Sequence, residues 1–235
     1  MITLSNADKY IEKYKLLEEI VRSTYNLKDE DSISYYLRNQ ASFKEFNDDI
    51  KYCQDVRNLL SHKKKLNNNF AVEPNDQMLI FIDRLIEKIK NLPKCKDIQI
   101  KKSCVFWQSL DGPVKQTMKL MSEKMYTHVP ILENDRVIGV FDENSIFNYL
   151  AAEEIIEINE SLTFQDIQQY LSLDDREMES FLFFKPTAYV EELKDKIEVE
   201  FKKGKRIGIV FITNNGKRSE PLQGIITPWD IIHSS

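Results

Sequence analysis

Two stretches of the 235-residue chain share one arrangement of residue types: HVPILENDRVIGVFDENSI at residues 128–146 and IGIVFITNNGKRSEPLQGIITPWDI at residues 207–231. Each stretch has a β-branched and aromatic run, a polar turn, a second such run with one glycine, and a helix start. Gly139 of the first copy aligns with Gly224 of the second, whose turn is longer. Since an amphipathic helix pattern also precedes each copy, the chain contains a repeated helix–strand–strand–helix unit.

This repeat resembles the CBS domain pair, also called a Bateman module. The resemblance covers residues 96–235, with repeats at about 96–150 and 180–235, and rests on the order and content of the two quoted stretches. It implies two α/β units packed through their sheets, with clefts that commonly take an adenine nucleotide such as AMP, ADP or ATP. No catalysis follows from it.

The resemblance places a ribose-binding pair at Thr227 and Asp230, where a carboxylate can accept from both ribose hydroxyls. The same Thr-x-x-Asp spacing, with Pro228 at the first helical position, is also typical of an ordinary helix start, so both interpretations stay open. Adenine is expected against the strand near Ile207 and Ile209.

The basic run before and at this strand has two readings as well. It is either a phosphate contact or a solvated helix end, and it consists of Lys202, Lys203, Lys205 and Arg206. In the first repeat Asp142 holds the hydroxyl position and Ser145 the aspartate position, so the ribose-binding carboxylate is missing there. One occupied cleft per chain is therefore expected.

The first 111 residues contain no glycine and show helical periodicity. Asn6 is predicted to cap the first helix, and Ser42 with Glu45 predicts a capping box at the start of the third. The predicted helices cover residues 7–27, 31–39, from 42 to about 62, and 75–91. Residues 1–95 are thus predicted to form an all-α bundle ahead of the tandem α/β pair, which makes the fold class α+β.

One short motif in this bundle could carry chemistry, Arg57-Asn58-Leu59-Leu60-Ser61-His62. Asn58 and His62 lie one helical turn apart, and Arg57 flanks them. The motif is similar to that of HEPN domains, many of which are dimeric, metal-independent ribonucleases. The resemblance implies a homodimer in which Arg57 contacts phosphate, His62 acts as acid or base, and Asn58 positions it. The alternative is a favourable helix end without catalysis.

Composition excludes several other classes. The six glycines form neither a dinucleotide fingerprint nor a P-loop, and the three cysteines and three histidines show no metal-ligand spacing, so no metal is expected. With 33 basic and 38 acidic residues the net charge is −5, so any RNA contact must be local. No apolar run is long enough for a membrane span, and the N-terminus lacks a secretory pattern, which predicts a cytoplasmic protein without a membrane partner.

The leading hypothesis is a regulatory protein whose CBS pair senses an adenine nucleotide and acts through a dimeric HEPN-like helical domain. Two alternatives remain: a nucleotide-regulated, metal-independent endoribonuclease, and a non-catalytic dimerisation adaptor.

The ribonuclease alternative makes its own prediction. The His62→Ala variant should lose metal-independent cleavage of single-stranded RNA in EDTA, because a histidine that titrates near neutrality would transfer the protons. Its melting temperature should stay near that of the parent protein. Absence of cleavage by the parent protein, with and without nucleotides, would contradict the alternative.

Overall fold

The structure is a computed structural model that describes residues 4–62, 70, 72–153, 157–174 and 176–233. The chain divides into two compact units, Met1–Leu92 and Pro93–Ser235. Helices and a mixed arrangement of strands together make the fold α+β. Within the described ranges, no helix has the length and apolarity that crossing a bilayer would require.

The first unit is helical. Its α-helices are α1 (Asn6–Tyr25), α2 (Ile33–Asn39), α3 (Asn47–His62) and α4 (Asp76–Lys90). The predicted apolar stripes are the buried faces: α1 and α4 pack together and bury, among others, Tyr10, Leu17, Ile82 and Ile89. Cys53, predicted to be a small buried hydrophobe, is buried, and burial raises the pKa of its thiol. The lysine run at 63–65 lies outside the described residues.

Two predicted helix starts are wrong. Ser5 caps α1 by accepting from the backbone N–H of Asp8, whereas Asn6 lies inside the helix and its amide donates to the carbonyl of Pro74, at 3.2 Å. The predicted box at Ser42 is replaced by a 3₁₀ helix, Ala41–Phe46, and α3 begins only at Asn47. The tighter winding aligns residues three apart, which places both Phe43 and Phe46 in the core.

The second unit contains both repeats. The first repeat has α6 (Val114–Lys124), β2 (His128–Glu133), β3 (Arg136–Asp142) and α7 (Glu143–Ala152). The second has β4 (Glu179–Phe184), α8 (Val190–Lys202), β5 (Arg206–Thr213), β6 (Leu222–Ile226) and α9 (Pro228–His233). A short helix α5 (Cys95–Ile98) and strand β1 (Ile100–Lys101) precede them.

The strands form a sheet of order β1-β6-β5-β4 and a hairpin of β2 and β3. The strands of the β2–β3 hairpin and of the β5–β6 hairpin are antiparallel. The turn between β2 and β3 has left-handed backbone at Asn134 and Asp135, as a tight hairpin requires. The two sheets share one buried cluster, to which Leu132 and Val140 contribute from the hairpin and Ile209 and Phe211 from β5. The paired packing predicted from the repeat is therefore present.

The aligned glycines Gly139 and Gly224 each lie against a backbone carbonyl that leaves no room for a Cβ atom. A Cβ at Gly139 would lie 2.7 Å from the carbonyl oxygen of Leu171, and one at Gly224 would lie 2.5 Å from that of Ile100. Each glycine thus lets a backbone segment from outside its own hairpin approach the strand. This close approach explains why the glycine recurs.

We expect Gly224→Ala to lower the free energy of unfolding by about 3 kcal/mol, since the strand must move away from Ile100. Gly204 is the control, because a Cβ there meets no atom within 4 Å and only its φ of +80° is strained, which costs about 1 kcal/mol. Urea denaturation measures both. Equal losses in the two variants would contradict the close-approach explanation.

Candidate functional site

A cavity of about 450 Å³ in the second unit lies where residues from both repeats meet. Its walls are mixed: aromatic and sulfur-containing side chains alternate with polar ones and with bare strand backbone. The lining includes Cys104, Phe106, Met125, Tyr126, Thr127, His128, Asp142, Glu143, Glu179, Arg206, Ile207, Gly208, Ile209, Thr227, Pro228 and Trp229. Of the predicted nucleotide-binding residues, Arg206, Ile207, Ile209 and Thr227 are in this wall.

The beginning of β5 gives the cavity a backbone edge. The β5–β6 ladder pairs Val210 with Ile226, where β6 ends, so Arg206–Ile209 extends past the end of its neighbour. On the other side, β4 pairs with this part of β5, with an irregularity after Ser180. Backbone groups that lack a strand partner need another hydrogen-bonding partner, such as water or a ligand.

Thr227 and Asp230 form the start of helix α9, which is one of the two interpretations of their spacing in the sequence. Oδ2 of Asp230 accepts from the backbone N–H of Thr227 at 2.7 Å and from its hydroxyl at 2.7 Å. This is the reciprocal half of a capping box at the start of α9. Asp230 is next to the cavity wall through Thr227 but is not itself a lining residue. Its ribose-binding role stays a prediction.

The buried carboxylate of Glu179 is the centre of an ionic network. Its Oε1 pairs with Nε2 of His128 at 3.0 Å and with Nε of Arg206 at 3.0 Å. Its Oε2 lies 3.7 Å from Nη1 of Arg176 and has no hydrogen-bond donor among the described residues. Burial alone would raise the pKa of Glu179, but the hydrogen bond and charge of His128 and the two guanidinium groups outweigh it and hold the pKa below its usual value.

The corresponding position in the first repeat is bonded to Arg176, which with Ser145 also lines a neighbouring cavity of about 580 Å³. Oδ1 of Asp142 accepts from the N–H and the hydroxyl of Ser145, while its Oδ2 pairs with the Arg176 guanidinium. Arg176 also donates to the carbonyl oxygens of Val140, at 3.0 Å, and Ser172, at 2.8 Å. The Arg176 side chain therefore engages Asp142 and two backbone carbonyls, and the expectation of one occupied cleft stays a prediction.

His128, Asp142 and Glu179 are the described residues that could hold a metal ion, since their donor atoms all lie within 4.8 Å of one another. Arg176 and Arg206 already place two positive charges against these carboxylates. A metal cation would be repelled by both, so the arrangement favours the ionic network.

The basic run does not converge on the cavity. Lys202 pairs with Glu198 at 2.7 Å, Lys203 with Glu200 at 2.8 Å, and Nζ of Lys205 donates to the carbonyl of Arg176 at 2.7 Å. These lysines are absent from the cavity wall, which retains only Arg206 from the run. These contacts agree with the solvated helix end, and a phosphate contact by the three lysines stays a prediction.

In the helical unit, α3 carries all three predicted catalytic residues, Arg57, Asn58 and His62. Arg57 forms an ion pair with Glu18 of α1, with 3.3 Å between Nη2 and Oε1, and both side chains are partly exposed. The side chain of His62 lies outside the described part of the chain. The catalytic role of the three residues therefore stays a prediction.

Sequence reasoning missed Glu179, Arg176, His128 and Trp229. The first three are charged or titratable residues drawn from separate elements, so no local spacing relates them. A signal did exist at Glu179, which opens a strand otherwise rich in phenylalanine. Gly208 on the next strand leaves room for it, since a Cβ there would lie 2.9 Å from Cδ of Glu179.

Comparison with known proteins finds a family model that matches most of the first repeat. The family model "CBS domain" matches residues 109–152, and a search of curated proteins finds no match. Solved structures that resemble the chain include the CBS domain pair of protein MJ0100 in complex with 5′-methylthioadenosine and S-adenosyl-L-methionine, at 16% identity and a TM-score of 0.42, covering 60% of this chain and 94% of that one.

Two further structures are similar at the same level. CBSX2 in complex with AMP has 12% identity and a TM-score of 0.42, with 60% of this chain and 94% of that chain covered. A hemolysin-like protein containing a CBS domain, from Oenococcus oeni PSU, has 13% identity and a TM-score of 0.43, with 66% and 96% covered.

We expect Arg176→Met to lower the free energy of unfolding by about 3–5 kcal/mol, because Asp142 and Glu179 would stay buried with one cation fewer. Arg218→Met is the matched control. Arg218 pairs with Asp174 at 2.6 Å on the surface, so its loss should cost less than about 1 kcal/mol. Urea denaturation of both variants at pH 7 is the measurement, and similar losses would contradict the role given to Arg176.

Proposed function

From the CBS domain at residues 109–152, we propose that this protein is a regulatory sensor that binds an adenine nucleoside or nucleotide in the cavity beside β5. The observation that carries the proposal is the meeting, in one cavity, of the backbone edge at Ile207–Ile209 with Thr227 and Trp229. These groups come from a strand and a helix start that are separated along the chain, and each suits a different part of a nucleoside.

Two features of the cavity support binding of a base: the backbone edge of β5, and a group of aromatic and sulfur-containing side chains in the wall. A purine carries donors and acceptors along its edge, which can pair with strand backbone that has no neighbouring strand. Trp229 is 71% exposed although it lines the cavity, and Phe106, Tyr126 and Met125 lie in the same wall. Flat aromatic and polarizable side chains favour stacking on a base.

Ribose binding is proposed for Thr227 and Asp230. Only Oδ2 of Asp230 is used in the bonds to Thr227. A carboxylate has about four lone-pair positions, so the helix start and a ribose hydroxyl can both be served by this one side chain. The two interpretations of the sequence are thus compatible with each other.

We propose the helical unit, predicted from sequence as a HEPN-like dimer over residues 1–95, as the part through which binding acts. The ribonuclease alternative requires Arg57 to bind phosphate, yet Arg57 is paired with Glu18. No observation on the described residues favours cleavage over a non-catalytic role, so regulation is the function proposed.

Two substitutions at Asp230 separate its roles. Asp230→Asn keeps an oxygen that can accept from Thr227 but removes the charge, so adenosine affinity should fall about tenfold while the melting temperature changes little. Asp230→Ala removes both the accepting oxygen and the charge, so it should lower the adenosine affinity and the melting temperature together. Isothermal titration calorimetry and thermal melting are the measurements.

Asp195→Asn, at an exposed position of α8 outside the cavity, is the control and should behave as the parent protein. Unchanged adenosine affinity in both Asp230 variants would reduce Asp230 to a helix-start residue. Absence of binding by any adenine nucleoside or nucleotide to the parent protein would overturn the proposed function.

A further inference from the structure

On the basis of the nucleoside binding proposed above, we infer that a groove beside the cavity binds an apolar group attached to the 5′ carbon of the nucleoside. This methionine groove has a volume of about 330 Å³, and most of its lining side chains are apolar: Met118, Met121, Met125, Tyr126, Phe141 and Ile146. Three features support this class of ligand: the position of the groove, its lining, and the backbone conformation of Met125.

The methionine groove adjoins the cavity proposed for the nucleoside. Five residues line both spaces: Met125, Tyr126, Thr127, Asp142 and Glu143. In the proposed site the edge of the adenine pairs with the backbone of β5 and the ribose hydroxyls pair with Asp230. The 5′ carbon is then the end of the nucleoside that has no partner. A group attached to it can therefore extend past Met125 and Tyr126 into the groove.

The floor of the methionine groove is one side of a hydrophobic core cluster. Met121 and Phe141 belong to that cluster, while Met118 and Ile146 pack against it and are only partly buried. Met118, Met121 and Met125 are three and four residues apart, so they lie along one face of helix α6 and its end. An apolar group bound there would lose contact with water, and methionine side chains are flexible and polarizable enough to adapt to its shape.

Met125 has a backbone conformation that ordinarily favours glycine. Its φ is +59°, in the left-handed region, at the end of α6. Within the described ranges three other non-glycine residues have left-handed backbone, and they are of types that tolerate it: Asn26, Asn134 and Asp135. In the second repeat, the turn between α8 and β5 has a glycine in this conformation, Gly204, with a φ of +80°. The first repeat therefore has a methionine where the second has the residue that suits the turn.

Packing within the fold does not account for this methionine. Met125 is 86% exposed, so its side chain buries little surface against the rest of the protein. Glycine would adopt the left-handed conformation at a lower conformational cost. A residue in a strained conformation that adds little to the core, but lines both the cavity and the groove, indicates a role in ligand binding.

The test is calorimetric titration of the 235-residue chain with ligands that differ at the 5′ position. They are adenosine, AMP, 5′-deoxy-5′-(methylthio)adenosine and the corresponding propylthio compound. The propylthio compound should bind about tenfold more tightly than the methylthio compound, because each methylene group that enters the groove contributes about twofold to fourfold in affinity. An excess of adenosine should displace the propylthio compound, since the two share one nucleoside site.

Met125→Gly separates binding from folding. It should raise the melting temperature by about 2 °C, because glycine relieves the left-handed conformation, and should reduce the gain from the propyl group to less than about threefold. Met125→Leu keeps an apolar side chain and should keep the gain. Met178→Ala is the control, because Met178 is also exposed but lines neither the cavity nor the groove, and it should behave as the parent protein.

The outcomes separate the methionine groove from the nucleoside site. If adenosine binds but the longer alkyl chain brings no gain, the groove is not a binding site while the proposed function stands. Tighter binding of AMP than of adenosine would in that case place the 5′ end near the guanidinium group of Arg206, which is exposed. If Met125→Gly keeps the whole gain, or lowers the melting temperature and all affinities together, the role given to Met125 is wrong. If no ligand binds, both the groove and the proposed function are wrong.

Discussion

The pairing of the buried Glu179 carboxylate with His128, Arg206 and Arg176 is the constraint on which the second unit depends. Glu179 opens β4, His128 opens β2 and Arg206 opens β5, so one carboxylate joins the starts of strands from both repeats. A carboxylate that is 2% exposed requires compensation, and removal of any partner would leave the buried charge with one cation fewer. The network therefore fixes the walls of the cavity as well as the packing of the sheets.

The same network makes the two repeats unequal. In the first repeat, Arg176 pairs with Asp142 and donates to two backbone carbonyls. In the second repeat, Asp230 uses one oxygen to start α9, and the edge of β5 remains available beside it. The two repeats thus differ at the start of their last helix, where Asp142 is paired with an arginine and Asp230 accepts from Thr227.

Much of the fold could be predicted because it is determined locally. Apolar periodicity gives the faces of α1 and α4, and the alternation of strand, turn and glycine gives the hairpins of both repeats. The wrong predictions concern choices that depend on packing: Asn6 bonds to a distant carbonyl instead of capping, and Phe43 and Phe46 reach the core through a 3₁₀ helix. The aligned glycines recur because each faces a backbone carbonyl, which no local pattern reveals.

The candidate site was predictable in part. Ile207, Ile209 and Thr227 lie within the second repeat, and the resemblance of that repeat to a CBS domain suggested them. Arg176 comes from the segment between the repeats and Glu179 opens β4, and both act through contacts across strands, so their role is visible only in three dimensions. For the same reason, the partners of the basic run are visible only in the structure: Lys202 and Lys203 pair with acidic residues of α8, and Lys205 donates to the carbonyl of Arg176.

The most direct test of the account is a crystal structure of the protein with 8-bromoadenosine, whose bromine atom can be located by its anomalous scattering. The account predicts one bromine peak per chain, in the cavity beside Ile207–Ile209, with the ribose next to Thr227. A peak beside Arg176 in the first repeat, or a cavity without bromine at a saturating concentration of the nucleoside, would contradict it.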